Sequence, residues 1–165
     1  MRWNDLARTT IKLRGYLELE VAGSSMMPTL CAGETVRIEA LQSAEPGTLV
    51  VFPGARSGHP VLHRVVACQS GSICAIGDNG RKGAWVDECD VIGKVAAVRI
   101  NGTWVALWPD GLMRRISQAS LAIAHLIEGA EETLFEAQIS SLERSRLRLC
   151  VELRERLEAQ LAEEA

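Results

Sequence analysis

Two adjacent serines raise the question of chemistry. They stand in Gly-Ser-Ser-Met-Met-Pro-Thr-Leu, residues 23–30, where Ser24 or Ser25 is either a turn residue or a nucleophile. A serine hydroxyl attacks a carbonyl usefully only when a base takes its proton. The chain has three histidines, which limits the bases that titrate near neutral pH. His59 precedes Pro60 in a Gly-rich stretch. His63 lies in Val-Leu-His-Arg-Val-Val, residues 61–66, where strand geometry sends Arg64 to the opposite face. His125 lies in the C-terminal region. Taken singly, a strand histidine is commonly structural and a Gly-Ser pair is commonly a turn, so no one of these residues identifies a catalyst.

A rival constellation is a metal site built from His59, His63, Cys68 and Cys74. A His-x-x-x-His pair converges when it lies on a helix. Pro60 and the β-branched neighbours call instead for extended chain, in which residues four apart stand about 13 Å from each other. Neither metal nor cofactor is expected. The five cysteines (Cys31, Cys68, Cys74, Cys89 and Cys150) are odd in number and contain no Cys-x-x-Cys. That composition suits free thiols in a reducing compartment better than a disulfide framework.

These candidates need a scaffold. A chain of 165 residues is enough for one domain with a real core and an appendage. With 47% hydrophobic residues but only 4% aromatic, that core must be built from Val, Ile, Leu and Ala. Segments 17–22, 35–40, 47–52, 61–69, 72–77 and 103–108 read as short strands with Gly-rich connections, and 90–100 reads as a strand pair or one long bent strand. Asn101-Gly102 is a hairpin turn signal. The character changes at Trp-Pro-Asp-Gly, 108–111. Beyond it, Leu142, Leu149, Leu153, Leu157 and Leu161 recur at amphipathic helix spacing between Glu and Arg. This helix either folds onto its own domain or seeks a partner, a second copy among them, which leaves a homodimer open. The expected organisation is an N-terminal lead-in, 1–18, a mostly β domain, 19–109, and a helical C-terminal extension, 110–165.

Charge and hydropathy restrict the partners. The formal charge is -3 and no basic tract occurs, so nucleic acid is not the expected partner. The N-terminal residues carry scattered charges without the apolar stretch of a secretory signal. No run of about 20 apolar residues is present for a membrane span. The apolar stretch 116–127, between Arg115 and Glu128, is too short to span but leaves peripheral membrane contact open. A cytoplasmic location follows as the expectation.

Five blocks occur in order: Gly-Ser-Ser-Met-Met-Pro-Thr-Leu-Cys-Ala-Gly-Glu-Thr-Val-Arg-Ile (23–38), Gly-Thr-Leu-Val-Val-Phe (47–52), His-Arg-Val-Val (63–66), Gly-Asp-Asn (77–79) and Asp-Val-Ile-Gly-Lys-Val (90–95). The series resembles the signal peptidase family and, more broadly, the LexA-like serine peptidases that share its β-fold. The resemblance covers residues 19 to about 100, and the ordered series is far more specific than Ser-Met-x-Pro-Thr alone. It implies that Ser25, directly before Met26, is the nucleophile and Ser24 only its neighbour. The base position falls on His63, as in the endoplasmic-reticulum, archaeal and some spore-former branches that carry His-Arg-Val where most bacterial members carry lysine. Lys12, Lys82 and Lys94 fall elsewhere. Asp78 of Gly-Asp-Asn is the natural third member, since a carboxylate on the far imidazole nitrogen fixes the tautomer and stabilises the imidazolium. A second aspartate of that branch has no clear counterpart in the shortened loop 80–85, and Asp87 is the nearest substitute.

Other departures from the family bear on the oxyanion hole and the turns. Gly23 stands where the family often has a serine, so an oxyanion hole would rest on backbone N–H groups, that of Ser25 included. Glu34 and Thr48 replace aspartates of Gly-Asp turns, and the family's membrane anchor has no counterpart. Met26, Met27 and Pro28 would give apolar surface for substrate.

The resemblance therefore implies a serine endopeptidase with a Ser25–His63 dyad, assisted by Asp78. It would cleave after small residues in an extended peptide or precursor protein, as a soluble maturation peptidase. A non-catalytic interaction module of the same fold and a self-cleaving regulator of the LexA type are the alternatives. All catalytic candidates precede residue 91, so the tail is expected to stand apart from the chemistry.

Overall fold

The computed structural model describes residues 2–55, 58–108, 110–129 and 136–163. One antiparallel sheet of eight strands forms its centre: β1 (Tyr16–Glu20), β2 (Thr35–Glu39), β3 (Leu49–Pro53), β4 (Pro60–Gln69), β5 (Ser72–Ile76), β6 (Ala84–Asp87), β7 (Gly93–Ile100) and β8 (Thr103–Ala106). The hydrogen-bonded order is β1-β2-β7-β3-β4-β5-β6, with β8 paired to β7 off this path. β7 divides its edge: Gly93 and Lys94 pair with β3, whereas Ala97 to Ile100 pair with β8. The sheet as a whole curls into half a barrel.

Local chemistry sets the turns. Ser70-Gly71 and Asn101-Gly102 both have positive φ at both positions, the requirement of a two-residue type I′ hairpin. The 90–100 segment resolves as one strand, β7, preceded by a 3-10 turn, Glu88–Asp90. Two elements lack a clear pattern in the sequence. β6 begins at the end of the short 80–85 loop and runs to Asp87, and its residues are mostly exposed, so no apolar alternation announces it. The lead-in forms α1 (Trp3–Arg14). Trp3, Ala7 and Ile11 are spaced one turn apart, and Ala7 and Ile11 are buried, but charges between them mask the stripe. Gly15, at φ 85°, ends the helix by donating its N–H to the Ile11 carbonyl at 2.8 Å.

The C-terminal region contributes α2 (Gly111–Gly129) and α3 (Glu136–Glu163). The Asp110 carboxylate caps α2 by accepting the Met113 N–H at 3.0 Å. α2 lies on β4, where the Ser117 hydroxyl donates to the Val65 carbonyl at 2.9 Å. On α3, Cys150, Leu153 and Leu157 are fully buried in the same core as Ala7, Ile11, Val36, Ile38 and Leu49. Its inward face is therefore occupied by its own domain, while Leu147 and Val151 remain exposed. All five cysteines are unpaired. Among the described residues no helix is long and apolar enough to cross a membrane.

Candidate active site

The serine turn is closed at its base by two backbone bonds. Val21 donates to the Glu34 carbonyl at 2.7 Å, and Gly33 donates to the Val21 carbonyl at 2.9 Å. Within it, Met27 N–H reaches Ser24 at 3.1 Å and Leu30 N–H reaches Met26 at 3.0 Å. Met26 and Leu30 drive inward to the core, at 2% and 0% exposure. Ser24 and Ser25 stay at the surface. The expectation that Met26 offers open apolar surface is thus corrected: its side chain anchors the turn and only floors the adjoining groove. Met27 is the exposed methionine, and Pro28 is half-buried after a cis Met27–Pro28 bond.

β4 presents His63, the candidate base. His63 is half-buried, with the Phe52 ring against it edge-on at 6.0 Å between centroids. Burial pushes its pKa below the ordinary histidine value, and the negative charge of Asp78 offsets only part of this. The neutral imidazole that a general base requires is therefore the resting form near pH 7. Lys94 shares Val50 with His63 as a cross-strand neighbour, which sets it two strands away, at about 10 Å. It is not placed to take the base's role.

Gly77 brings the two together. A Cβ at Gly77 would stand 3.1 Å from Ser25 Cβ and 3.2 Å from His63 Nε2, so the serine side chain and that ring nitrogen border one small space. The same Cβ would meet the Ser25 carbonyl oxygen at 2.7 Å, a distance that real side chains do not tolerate. Only glycine lets the 77–80 turn come this close. From that turn, Asn79 donates its N–H to the Ser25 carbonyl at 2.9 Å.

Asp78 requires a correction. It does not hydrogen-bond His63, whose Nδ1 is buried without a hydrogen-bond partner among the described residues. Its oxygens are taken on the other side of β4: Arg64 donates from Nε to Oδ1 and from Nη2 to Oδ2, each at 2.7 Å, and Thr29 donates to Oδ2 at 2.6 Å. The physical reason is the strand itself. His63 and Arg64 are successive, hence on opposite faces, and a buried guanidinium makes a stronger claim on a carboxylate than a neutral imidazole does. Burial alone would pull Arg64 down, but the Asp78 charge and hydrogen bonds outweigh it and raise its pKa. The pair is fully buried. Through Thr29, Arg64 and Asp78 it ties the serine turn, β4 and the 77–80 turn at one point. Asp87, the substitute, sits on exposed β6 and accepts from the Ser72 hydroxyl at 2.9 Å.

Two grooves border the serine turn. One, of about 310 Å3, runs between the end of β1 with the following residues 21–23 and the start of β4, with Ser25, Met26 and His63 on its wall. Residues 60–63 of β4 pair with β3 on one side, and β5 joins the other side only from Arg64 onward. An extended chain can add to that open edge. The other groove, of about 390 Å3, lies between the serine turn and α3, bordered by Met27, Asn79, Ser140 and Leu147.

Sequence reasoning missed four residues that build this arrangement: Thr29, Arg64, Gly77 and Arg146. A charged residue between the apolar pairs Val61-Leu62 and Val65-Val66 of a strand was the available signal for Arg64. No local signal marks Thr29 or Arg146, whose partners are 49 and 66 residues away. Among the described residues no cluster of His, Cys, Asp or Glu is suited to hold a metal ion, the set His59, His63, Cys68 and Cys74 included. No family model, curated protein or solved structure matches the chain.

Proposed function

We propose that the protein is a serine endopeptidase of signal peptidase/LexA-like fold, in which Ser25 is the nucleophile and His63 the general base. The observation that carries the reading is the space beside Gly77 bordered by both Ser25 Cβ and His63 Nε2. An extended peptide lies along the open β4 edge with its scissile carbonyl at Ser25. The Ser25 oxygen attacks the carbonyl carbon as His63 Nε2 takes the hydroxyl proton. The proton then passes to the leaving amine, and water repeats the sequence on the acyl-enzyme. Backbone N–H groups of the turn, that of Ser25 included, face the developing oxyanion in this reading. Asp78 acts as the tie beneath the site and not as a partner of the imidazole. The substrate is a peptide or precursor protein with small residues before the cut, and the site of action is cytoplasmic.

A serine-reactive peptidyl phosphonate tests this directly. The intact protein should be labelled at Ser25, Ser24→Ala should keep most of the labelling, and Ser25→Ala should lose it. Absence of any labelling at Ser25, with the fold intact, would reject the enzyme. One observation favours the second reading, a non-catalytic peptide-binding module: His63 Nδ1 lacks the acceptor that orients a full triad. That reading expects peptide binding that survives Ser25→Ala with no cleavage in either protein.

A further inference from the structure

We propose that Arg146 of α3 is a positioning residue for the dyad, holding the 77–80 turn against Ser25 and His63. The inference rests on the peptidase reading above and extends it to a helix that the sequence sets apart from the chemistry.

Arg146 is an unusual side chain. It is only 4% exposed, yet among the described residues no carboxylate pairs with it directly. Its Nη1 donates instead to the Gly80 carbonyl at 2.6 Å and lies 3.3 Å from the Ser120 hydroxyl of α2. Asp78, which borders the same groove as Arg146, is already committed to Arg64 and Thr29. Burying a cation to grasp one backbone carbonyl is costly unless the carbonyl's position matters. Gly80 closes the turn through its N–H to the Gly77 carbonyl at 2.8 Å. At the other side of the same turn, Asn79 holds the Ser25 carbonyl and Gly77 abuts both Ser25 and His63. The path from Arg146 to the reacting atoms therefore runs through one four-residue turn. A second clamp grips it from outside: Arg81 bonds Glu143 of α3 at 2.6 and 3.0 Å.

The geometry assigns these contacts different weights. Arg81 is exposed on its outer side, so its ion pairs are screened and replaceable. Arg146 is buried and fixes the turn's last carbonyl directly. Loss of Arg146 lets the turn shift away from Ser25 without touching the β4 edge that receives peptide, so the chemical step should suffer and peptide affinity should not.

The experiment compares Arg146→Met, Arg146→Lys and Arg81→Ala with the wild-type chain, each normalised to the folded fraction by circular dichroism. A peptidyl phosphonate gives the maximal labelling rate and the apparent affinity separately, and NMR follows the His63 ring titration. Arg146→Met should slow maximal labelling by about 10- to 100-fold, the scale of an ångström-sized misplacement, with apparent affinity nearly unchanged. Arg146→Lys should recover part of the rate, and Arg81→Ala should lose less than either. The His63 titration should move upward in Arg146→Met as the loosened turn admits water. If Arg146→Met does not fold, Arg146→Lys carries the test, because its flexible ammonium loses the fixed guanidinium geometry. Wild-type labelling rates in the folded Arg146 variants, with an unmoved His63 titration, would overturn the proposal. If the wild-type chain is never labelled at Ser25, the peptidase reading fails by itself. The shift or constancy of the His63 titration then decides whether Arg146 positions the ring's surroundings.

Discussion

At the residue scale the imidazole is set by its burial. His63 has a folded-state pKa below 6.5, chiefly because burial disfavours its charged form. In the proposed base role His63 works only when neutral, so phosphonate labelling should rise with pH along a single titration whose midpoint lies below 6.5, and stay level through neutrality. The same shift acts on stability. A group whose folded pKa is depressed is protonated more readily in the unfolded chain, so its contribution is complete above pH 6.5 and is lost as pH falls through the folded value. His63→Gln should therefore flatten the acid side of the stability profile, measured by urea unfolding between pH 5 and 7. Asp78 behaves differently. Removing one partner of a buried ion pair leaves an uncompensated charge and typically costs about 3–5 kcal/mol. Asp78→Ala should lower the midpoint of thermal unfolding accordingly, and the folded fraction should keep a His63-dependent pH profile. A profile that vanished while stability held would restore the triad role. Ser25 and His63 were legible because both lie in short motifs of local sequence. The Asp78 partner was not, because a motif gives the presence of a carboxylate but not which face of β4 it turns to.

At the element scale the close approach of the 77–80 turn is the sensitive feature. Gly77 has an ordinary backbone conformation, so the constraint there is space alone. Gly77→Ala must push against the Ser25 carbonyl and displace the serine turn. Labelling should fall by about 100-fold, as misplacement of a nucleophile by an ångström does, while the protein remains folded. Comparing the labelling rate with the circular dichroism spectrum of the variant checks this. The strands were largely readable from β-branched runs and from Asn101-Gly102. α1 and β6 were not, since an amphipathic stripe of three residues among charges, or four largely exposed residues, carries little periodic signal. The C-terminal helical periodicity was readable too, but its destination was not. Periodicity reports that a face is apolar, and only the folded chain specifies what lies against it.

At the scale of the whole molecule, α3 is part of the core and not an appendage. Leu153 is fully buried within it, and a Leu→Ala change at such a site costs about 2–5 kcal/mol. Leu153→Ala should lower stability by that amount in denaturant titration, and a chain truncated after residue 111 should aggregate or melt early instead of remaining a well-folded monomer. The core that holds Leu153 also holds Ala7 and Ile11 of α1. This has a consequence for the order in which the protein is made. α1 leaves the ribosome before α3, and the residues that complete its core follow more than a hundred positions later. At ordinary translation speeds that delay is on the order of ten seconds. Throughout it the inward side of α1 and the early strands lack their cover, so a nascent or prematurely terminated chain presents apolar surface to chaperones and proteases. Completion of the fold thus becomes a checkpoint that only a chain translated through α3 can pass.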